Sequence, residues 1–102
     1  MILHTVLIRF KTSIDKAQKK EIFEAIVALK QKLSGIVDVK YGPNVSPEGL
    51  GGGFADALVV TFDTVEARDA YLVHPDHVVV GEKIVASAEG GLAVLLEFDL
   101  DI

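Results

Sequence analysis

The chain has no cysteine among its 102 residues, and this absence excludes several kinds of site. Disulfide bonds, thiolate zinc sites, iron–sulfur clusters and thiol catalysis all require cysteine. Long apolar runs are also lacking, because no stretch approaches the roughly 18 residues that span a bilayer. No basic segment followed by an apolar block suggests a signal peptide. We therefore expect a cytoplasmic protein without a membrane partner.

Positive charge is scarce, with 10 Lys and Arg against 15 Asp and Glu and a net charge of −5. The basic residues are not gathered into one stripe with aromatic residues, so the pattern predicts no nucleic-acid partner. The length fits a single domain over residues 1–102. Half of the residues are hydrophobic. Because a small chain buries a smaller fraction of its surface, this content indicates a homodimer.

Hydrophobic periodicity predicts the element order βαββαβ, with the second helix interrupted. Ser13 is the predicted N-cap of the first helix, and Gly35 is predicted to take the left-handed conformation after it. Asp63 with Glu66 predicts the cap of the second helix. Pro75 is acceptable in a first turn but not inside a helix, so it predicts a break near residue 74. The predicted strands are residues 2–10, 36–41, 54–62 and 92–100, and the first helix is 15–33.

This order is typical of the ferredoxin-like α+β fold, a four-stranded antiparallel sheet with helices on one face. Both faces of the predicted sheet carry apolar side chains. The helices cover only one face, so we expect a second copy of the chain to cover the other.

The segment from Tyr71 to His77 contains the most promising candidates for chemistry, because it holds two of the three histidines and one of the two tyrosines. His77 is a candidate general base, since imidazole titrates near neutral pH. Tyr71 is a candidate hydrogen-bond donor to a substrate carbonyl or hydroxyl. The structural alternatives are a surface histidine bonded to backbone and a ring at the edge of the core. His74, which precedes Pro75, is predicted to cap a helix.

His4 and Asp56 interrupt apolar strands and are candidate pocket-lining residues. An unpaired buried polar group costs about 1–3 kcal/mol, so each needs a partner. Both lie on strands expected at the centre of the sheet, which suggests a His–Asp contact in a pocket or a structural pair. His74 and His77 have a usable metal spacing, but a third ligand is not obvious and the proline disrupts the helix. We expect neither a metal nor a cofactor.

Four segments resemble the stress-responsive dimeric α/β-barrel (Dabb) family: HTVLIRFK (4–11), YGPN (41–44), ALVVTF (57–62) and YLVHPDH (71–77). The resemblance implies a ferredoxin-like subunit that pairs through its sheet into a dimeric α/β barrel. One branch of the family holds polyketide cyclases, which perform intramolecular aldol condensations. In that branch the histidine matching His77 is the general base, the tyrosine matching Tyr71 is its partner, and the histidine matching His4 lines the pocket. Relatives commonly have histidine at the position of Asp56.

Three functional hypotheses remain open from the sequence. The first is a homodimer with a pocket in each subunit for a small hydrophobic or polyketide-like ligand, with cofactor-independent acid/base chemistry of the cyclase type. The second is a non-catalytic small-molecule-binding or structural stress-response dimer. The third is a cofactor-independent monooxygenase-like or heme-handling protein, for which the fold is the only argument. The sequence leaves open whether the chain is an enzyme at all.

Overall fold

A computed structural model of the chain describes residues 1–91 and 95–102. Its four strands form one sheet in the order β2-β3-β1-β4, and all neighbouring strands are antiparallel. This architecture confirms the predicted ferredoxin-like fold, with the second helix divided in two. The elements are β1 Ile2–Ile8, α1 Lys16–Leu29, β2 Ile36–Pro43, β3 Asp56–Phe62, α2 Val65–Val73, α3 Pro75–Ser87 and β4 Leu96–Asp101.

The two central strands, β1 and β3, alternate between fully buried and half-buried residues along their whole length. A strand points successive side chains to opposite faces, so the alternation places one complete face of each strand against the helices. The core lies between this face and the helices. Its largest fully buried side chains are Tyr71, Phe23, Phe62, Ile8, Ile26, Leu58 and Val60.

Helix α1 begins at Lys16, one residue later than predicted, and Asp15 rather than Ser13 caps it. The Asp15 carboxylate accepts from the Gln18 amide at 2.8 Å, and the Gln18 side chain accepts from the Asp15 amide at 2.9 Å. This reciprocal pair satisfies two amides that would otherwise lack partners. The predicted end at residue 33 is also wrong, since tighter i→i−3 hydrogen bonds begin at Lys30. Gly35 has a φ of +89°, which confirms the predicted left-handed conformation.

The break between α2 and α3 confirms the role predicted for Pro75, which occupies the first turn of α3. His74 is at once the C-cap of α2 and the N-cap of α3, and its Nδ1 accepts from the Asp76 amide at 3.1 Å. The cap predicted at Asp63 was wrong. Thr64 caps α2 instead, and its hydroxyl accepts from the Ala67 amide at 3.1 Å.

Strand β4 forms one edge of the sheet and presents three large apolar side chains to solvent. Leu96, Phe98 and Leu100 are 51%, 68% and 48% exposed, and their alternation places them on the face opposite the helices. Residues 92–94, which were predicted to begin this strand, lie outside the described residues. The helices of the described segments are too short or too polar to cross a bilayer.

Candidate active site

A cavity of about 460 Å³ lies between the helix-covered face of the sheet and helix α3. His4 reaches it from β1, Tyr71 from α2 and His77 from α3. Three of the four predicted site residues therefore share one cavity. Its apolar wall includes Val6, Ile26, Leu58, Val78, Ile84 and Leu95. A concave apolar site with a few convergent polar groups is the usual form of a small-molecule pocket.

Tyr71 and His77 form the closest aromatic pair in this cavity, with ring centroids 4.0 Å apart and planes inclined by 38°. Tyr71 is almost completely buried, and its ring also packs edge-on against Phe62 with centroids 5.0 Å apart. The break at Pro75 creates the pairing. Tyr71 lies in the last turn of α2 and His77 in the first turn of α3, so two residues six positions apart contact each other.

The hydrogen bonding of His77 defines which of its nitrogens can act as a base. Its Nδ1 lies 3.3 Å from the Leu72 carbonyl oxygen, which can only accept, so Nδ1 is assigned the proton. The neutral ring then carries its free lone pair on Nε2. Burial lowers the pKa of His77, although the Leu72 carbonyl opposes the shift. His77 is therefore neutral at pH 7.

Tyr71 is held in its protonated form. Burial raises the pKa of its phenol well above the ordinary value, and the Glu97 carboxylate raises it further. A tyrosine in this state donates a hydrogen bond and does not carry charge at neutral pH. The pair thus joins a neutral base to a neutral donor, a combination that suits removal of a proton from carbon with stabilisation of the resulting oxyanion.

His4 is held by a carboxylate that the sequence analysis did not identify. Its Nδ1 lies 2.6 Å from Asp99 Oδ1, and the other Asp99 oxygen accepts from the Arg68 guanidinium at 2.7 Å. Partial burial alone would raise the pKa of Asp99, but the hydrogen bonds from His4 and Arg68 outweigh it and lower that pKa. The chain Arg68–Asp99–His4 fixes the imidazole, which packs edge-on against Tyr71 with centroids 6.1 Å apart.

Asp56 lies away from this cavity, and the contact suggested between His4 and Asp56 is absent. In the register of β1 with β3, Asp56 pairs with Ile8, whereas His4 pairs with Val60. Four residues along a strand correspond to about 13 Å. The Asp56 carboxylate instead accepts from Lys19 Nζ at 2.9 Å and lines a separate cavity beside α1. The nearly buried charge thus has its partner on a helix.

Two acidic residues of β4, Glu97 and Asp99, are the site residues that sequence reasoning missed. Glu97 lines the cavity, and Asp99 bonds His4. They alternate with the exposed apolar residues of β4, and this period-2 pattern was the available signal. Within residues 1–91 and 95–102, we find no group of three or more histidine or acidic side chains arranged to hold a metal ion.

Comparison with known proteins gives a consistent picture. The family of the stress responsive A/B barrel domain matches residues 2–98. Olivetolic acid cyclase of Cannabis sativa is 33% identical over 81 residues, which cover 79% of this chain and 80% of the cyclase. A dimeric ferredoxin-like protein of unknown function from Jannaschia sp. CCS1 is 28% identical, with a TM-score of 0.91 over 99% of this chain and 98% of that one.

A more distant structure shares the fold alone. Hydroxynitrile lyase from Passiflora edulis is 19% identical, with a TM-score of 0.85 over 99% of this chain and 92% of that one. The family match spans nearly the whole chain, and olivetolic acid cyclase is one-third identical over most of it. The chain belongs to the stress responsive A/B barrel (Dabb) domain family.

Proposed function

We propose that this chain is a homodimeric protein that binds a small, largely apolar carbonyl compound in each subunit and catalyses proton transfer without a cofactor. One observation carries the proposal: the His77 and Tyr71 rings, 4.0 Å apart, line an apolar cavity of about 460 Å³. The one-third identity to olivetolic acid cyclase supports a reaction of the cyclase type.

In the proposed reaction, Nε2 of His77 takes a proton from the carbon next to a substrate carbonyl. The electron pair of the broken C–H bond moves onto the carbonyl oxygen as an enolate, and the Tyr71 hydroxyl donates a hydrogen bond to that oxygen. In a cyclisation, the enolate carbon attacks a second carbonyl of the same molecule and a C–C bond forms. The His77 imidazolium then returns its proton to the new alkoxide, which balances the reaction.

The test of this proposal follows deuterium exchange next to a carbonyl. The protein is incubated in D₂O with β-diketones that carry alkyl chains of increasing length, and NMR measures the exchange rate. We expect acceleration by the wild type and its loss by about 10²-fold or more in His77→Ala, since general acid–base catalysis contributes 10²–10⁴-fold. Tyr71→Phe is expected to lose about 10²-fold, the effect of one oxyanion donor. Val79→Ala, an exposed change in the same helix, is the control.

A second candidate function is a non-catalytic binding protein, and the internal pairing of His4 with Asp99 favours it. A histidine already bonded at 2.6 Å to a carboxylate contributes to the fold without any chemistry. If the diketones bind equally to the wild type and His77→Ala and neither accelerates exchange, the binding protein is correct and the enzyme is rejected. The monooxygenase-like and heme-handling alternatives have only the shared fold in their favour.

The homodimer is supported by the exposed face of β4 and by the dimeric relative from Jannaschia. Phe98 is 68% exposed on a face whose neighbours are also apolar, and patches of this kind usually mark interfaces. Phe98→Glu is expected to shift sedimentation-equilibrium mass from two chains to one. Leu50→Glu, in a loop and 81% exposed, is expected to leave the dimer intact. A wild-type chain that sediments as a monomer at micromolar concentration would refute the dimer.

A further inference from the structure

Acidic side chains outnumber lysine and arginine side chains around the cavity of His4, Tyr71 and His77. Glu82 on α3 and Glu97 on β4 line it, whereas none of the lining residues that the structure describes is a lysine or an arginine. Tyr71 is neutral at pH 7 because burial raises its pKa, and His77 is neutral because burial lowers its pKa. Besides His4, whose imidazole is bonded at 2.6 Å to the Asp99 carboxylate, the other ionisable side chains that face the cavity are therefore the two carboxylates of Glu82 and Glu97.

Arg68, which bonds the carboxylate that holds His4, does not compensate for these two carboxylates. Arg68 donates to Asp99 at 2.7 Å and to Asp69 at 2.9 Å, so two carboxylates already accept from its guanidinium. An ion held between two carboxylates contributes little positive potential to a neighbouring space.

From these charges, we infer that the cavity selects uncharged or cationic apolar molecules and disfavours carboxylates. This inference rests on the proposed function, since it defines the substrate class of the same site. The apolar wall suits a hydrocarbon chain, and the Tyr71 hydroxyl donates a hydrogen bond to a neutral carbonyl oxygen. A carboxylate in the same position would lose hydration and face Glu97, which lies close enough to affect the pKa of both Tyr71 and His77.

In this inference, Glu97 is the residue that discriminates against carboxylates. It pairs with Val6 across the β1–β4 ladder, and Val6 is part of the cavity wall. Because Glu97 is exposed to solvent, its effect on an anion is moderated by water and by salt. We therefore expect discrimination of roughly tenfold at low ionic strength, which becomes smaller as salt is added.

The experiment compares three probes of equal chain length: octanamide, octanoate and octylammonium. Their dissociation constants are measured at pH 7 by calorimetry for the wild type, Glu97→Gln and Glu48→Gln. Octanamide and octylammonium are expected to bind the wild type roughly tenfold more tightly than octanoate. Glu97→Gln is expected to improve octanoate binding several-fold and to change octanamide binding less than twofold. Glu48, exposed in a loop away from the cavity, provides the matched control.

Octanoate binding as tight as octanamide binding would overturn the inference, as would a ratio that Glu97→Gln leaves unchanged. A chain that binds none of the three probes would overturn both the inference and the proposed pocket. Two further outcomes distinguish a failure of the charge selection from a failure of the proposed proton transfer. Deuterium exchange that depends on His77, together with tight octanoate binding, would remove only the charge selection. Charge selection without any exchange would leave a selective binding protein.

Discussion

The contact between His4 and Asp99 gives the sharpest prediction about stability, because it links a buried imidazole to the edge strand. The His4 side chain is only 4% exposed and its Nδ1 lies 2.6 Å from the carboxylate, while the Asp99 side chain is 28% exposed. Asp99→Ala removes this partner and leaves a buried polar nitrogen without its hydrogen bond.

The expected loss follows from two contributions. A buried polar group that loses its partner costs about 1–3 kcal/mol. The partly exposed ion pair between Arg68 and Asp99 adds about 0.2–1 kcal/mol. We therefore expect Asp99→Ala to lower the free energy of unfolding by about 2–3 kcal/mol. For a domain of this size, that corresponds to a fall in Tm of roughly 10–20 °C.

Urea denaturation followed by circular dichroism measures this change, at one fixed protein concentration because association affects apparent stability. Asp69→Ala is the control, since that carboxylate also accepts from Arg68 but is 62% exposed and does not bond His4. We expect its cost to stay below about 1 kcal/mol. If Asp99→Ala is no more destabilising than Asp69→Ala, the His4 contact does not stabilise the fold.

Acid pH provides a second test of the same contact. The folded-state pKa of Asp99 is lowered, so its ionised form is favoured by folding. Its stabilising contribution is present above the unfolded pKa, near 3.8, and is lost as the pH falls through the lower folded value. The difference in stability between wild type and Asp99→Ala should therefore be constant at neutral pH and should shrink below about pH 4. A difference independent of pH would contradict the pKa shift.

Three further changes test other parts of the structure. Gly35→Ala is expected to cost about 2 kcal/mol or more by thermal unfolding, because φ is +89° and the new Cβ would overlap the Cβ of Ala67. A cost no larger than that of Gly42→Ala, where a Cβ meets open space, would contradict this expectation. NMR titration of His77 should give a pKa below about 6.5, because burial disfavours the imidazolium. Folding then favours the neutral ring, so the free energy of unfolding should fall as the pH drops below 6.5. A measured pKa above 6.5 would contradict the burial of His77. Lys19→Met should lower the free energy of unfolding by about 1–3 kcal/mol, because it leaves the nearly buried Asp56 carboxylate without its partner. Lys20 is exposed, and an equal loss of stability in Lys20→Met would refute the importance of the pair.

The spacing of apolar residues and the conformational preferences of proline and glycine account for what was predicted correctly from the sequence. Alternating apolar residues defined the faces of β1 and β3, and Pro75 located the break that brings Tyr71 to His77. These features depend on residues close together in the chain, where backbone geometry leaves few choices. The caps failed at Ser13 and Asp63 because several neighbouring side chains could accept the same amides, and local propensity does not choose among them.

Partners across the sheet could not be predicted in the same way. His4 and Asp56 both lie on central strands, but whether they meet depends on the register of β1 with β3, and single strands do not reveal their register. The same register problem concealed Asp99, which reaches His4 from a strand that is 95 residues away in sequence. Long-range pairing of polar side chains was therefore the part of the site that the sequence left undetermined.

The single residue that separates α2 from α3 sets the orientation of everything after it. His74 ends one helix and starts the next, so α3 begins at a point fixed by Pro75. Each residue of an α-helix turns the side-chain direction by about 100°. One residue inserted between Pro75 and His77 would rotate the imidazole away from Tyr71, even with every original side chain still present. Homologues of this chain that keep the Tyr71–His77 pair should therefore keep the length of this segment, without insertions or deletions between the two residues.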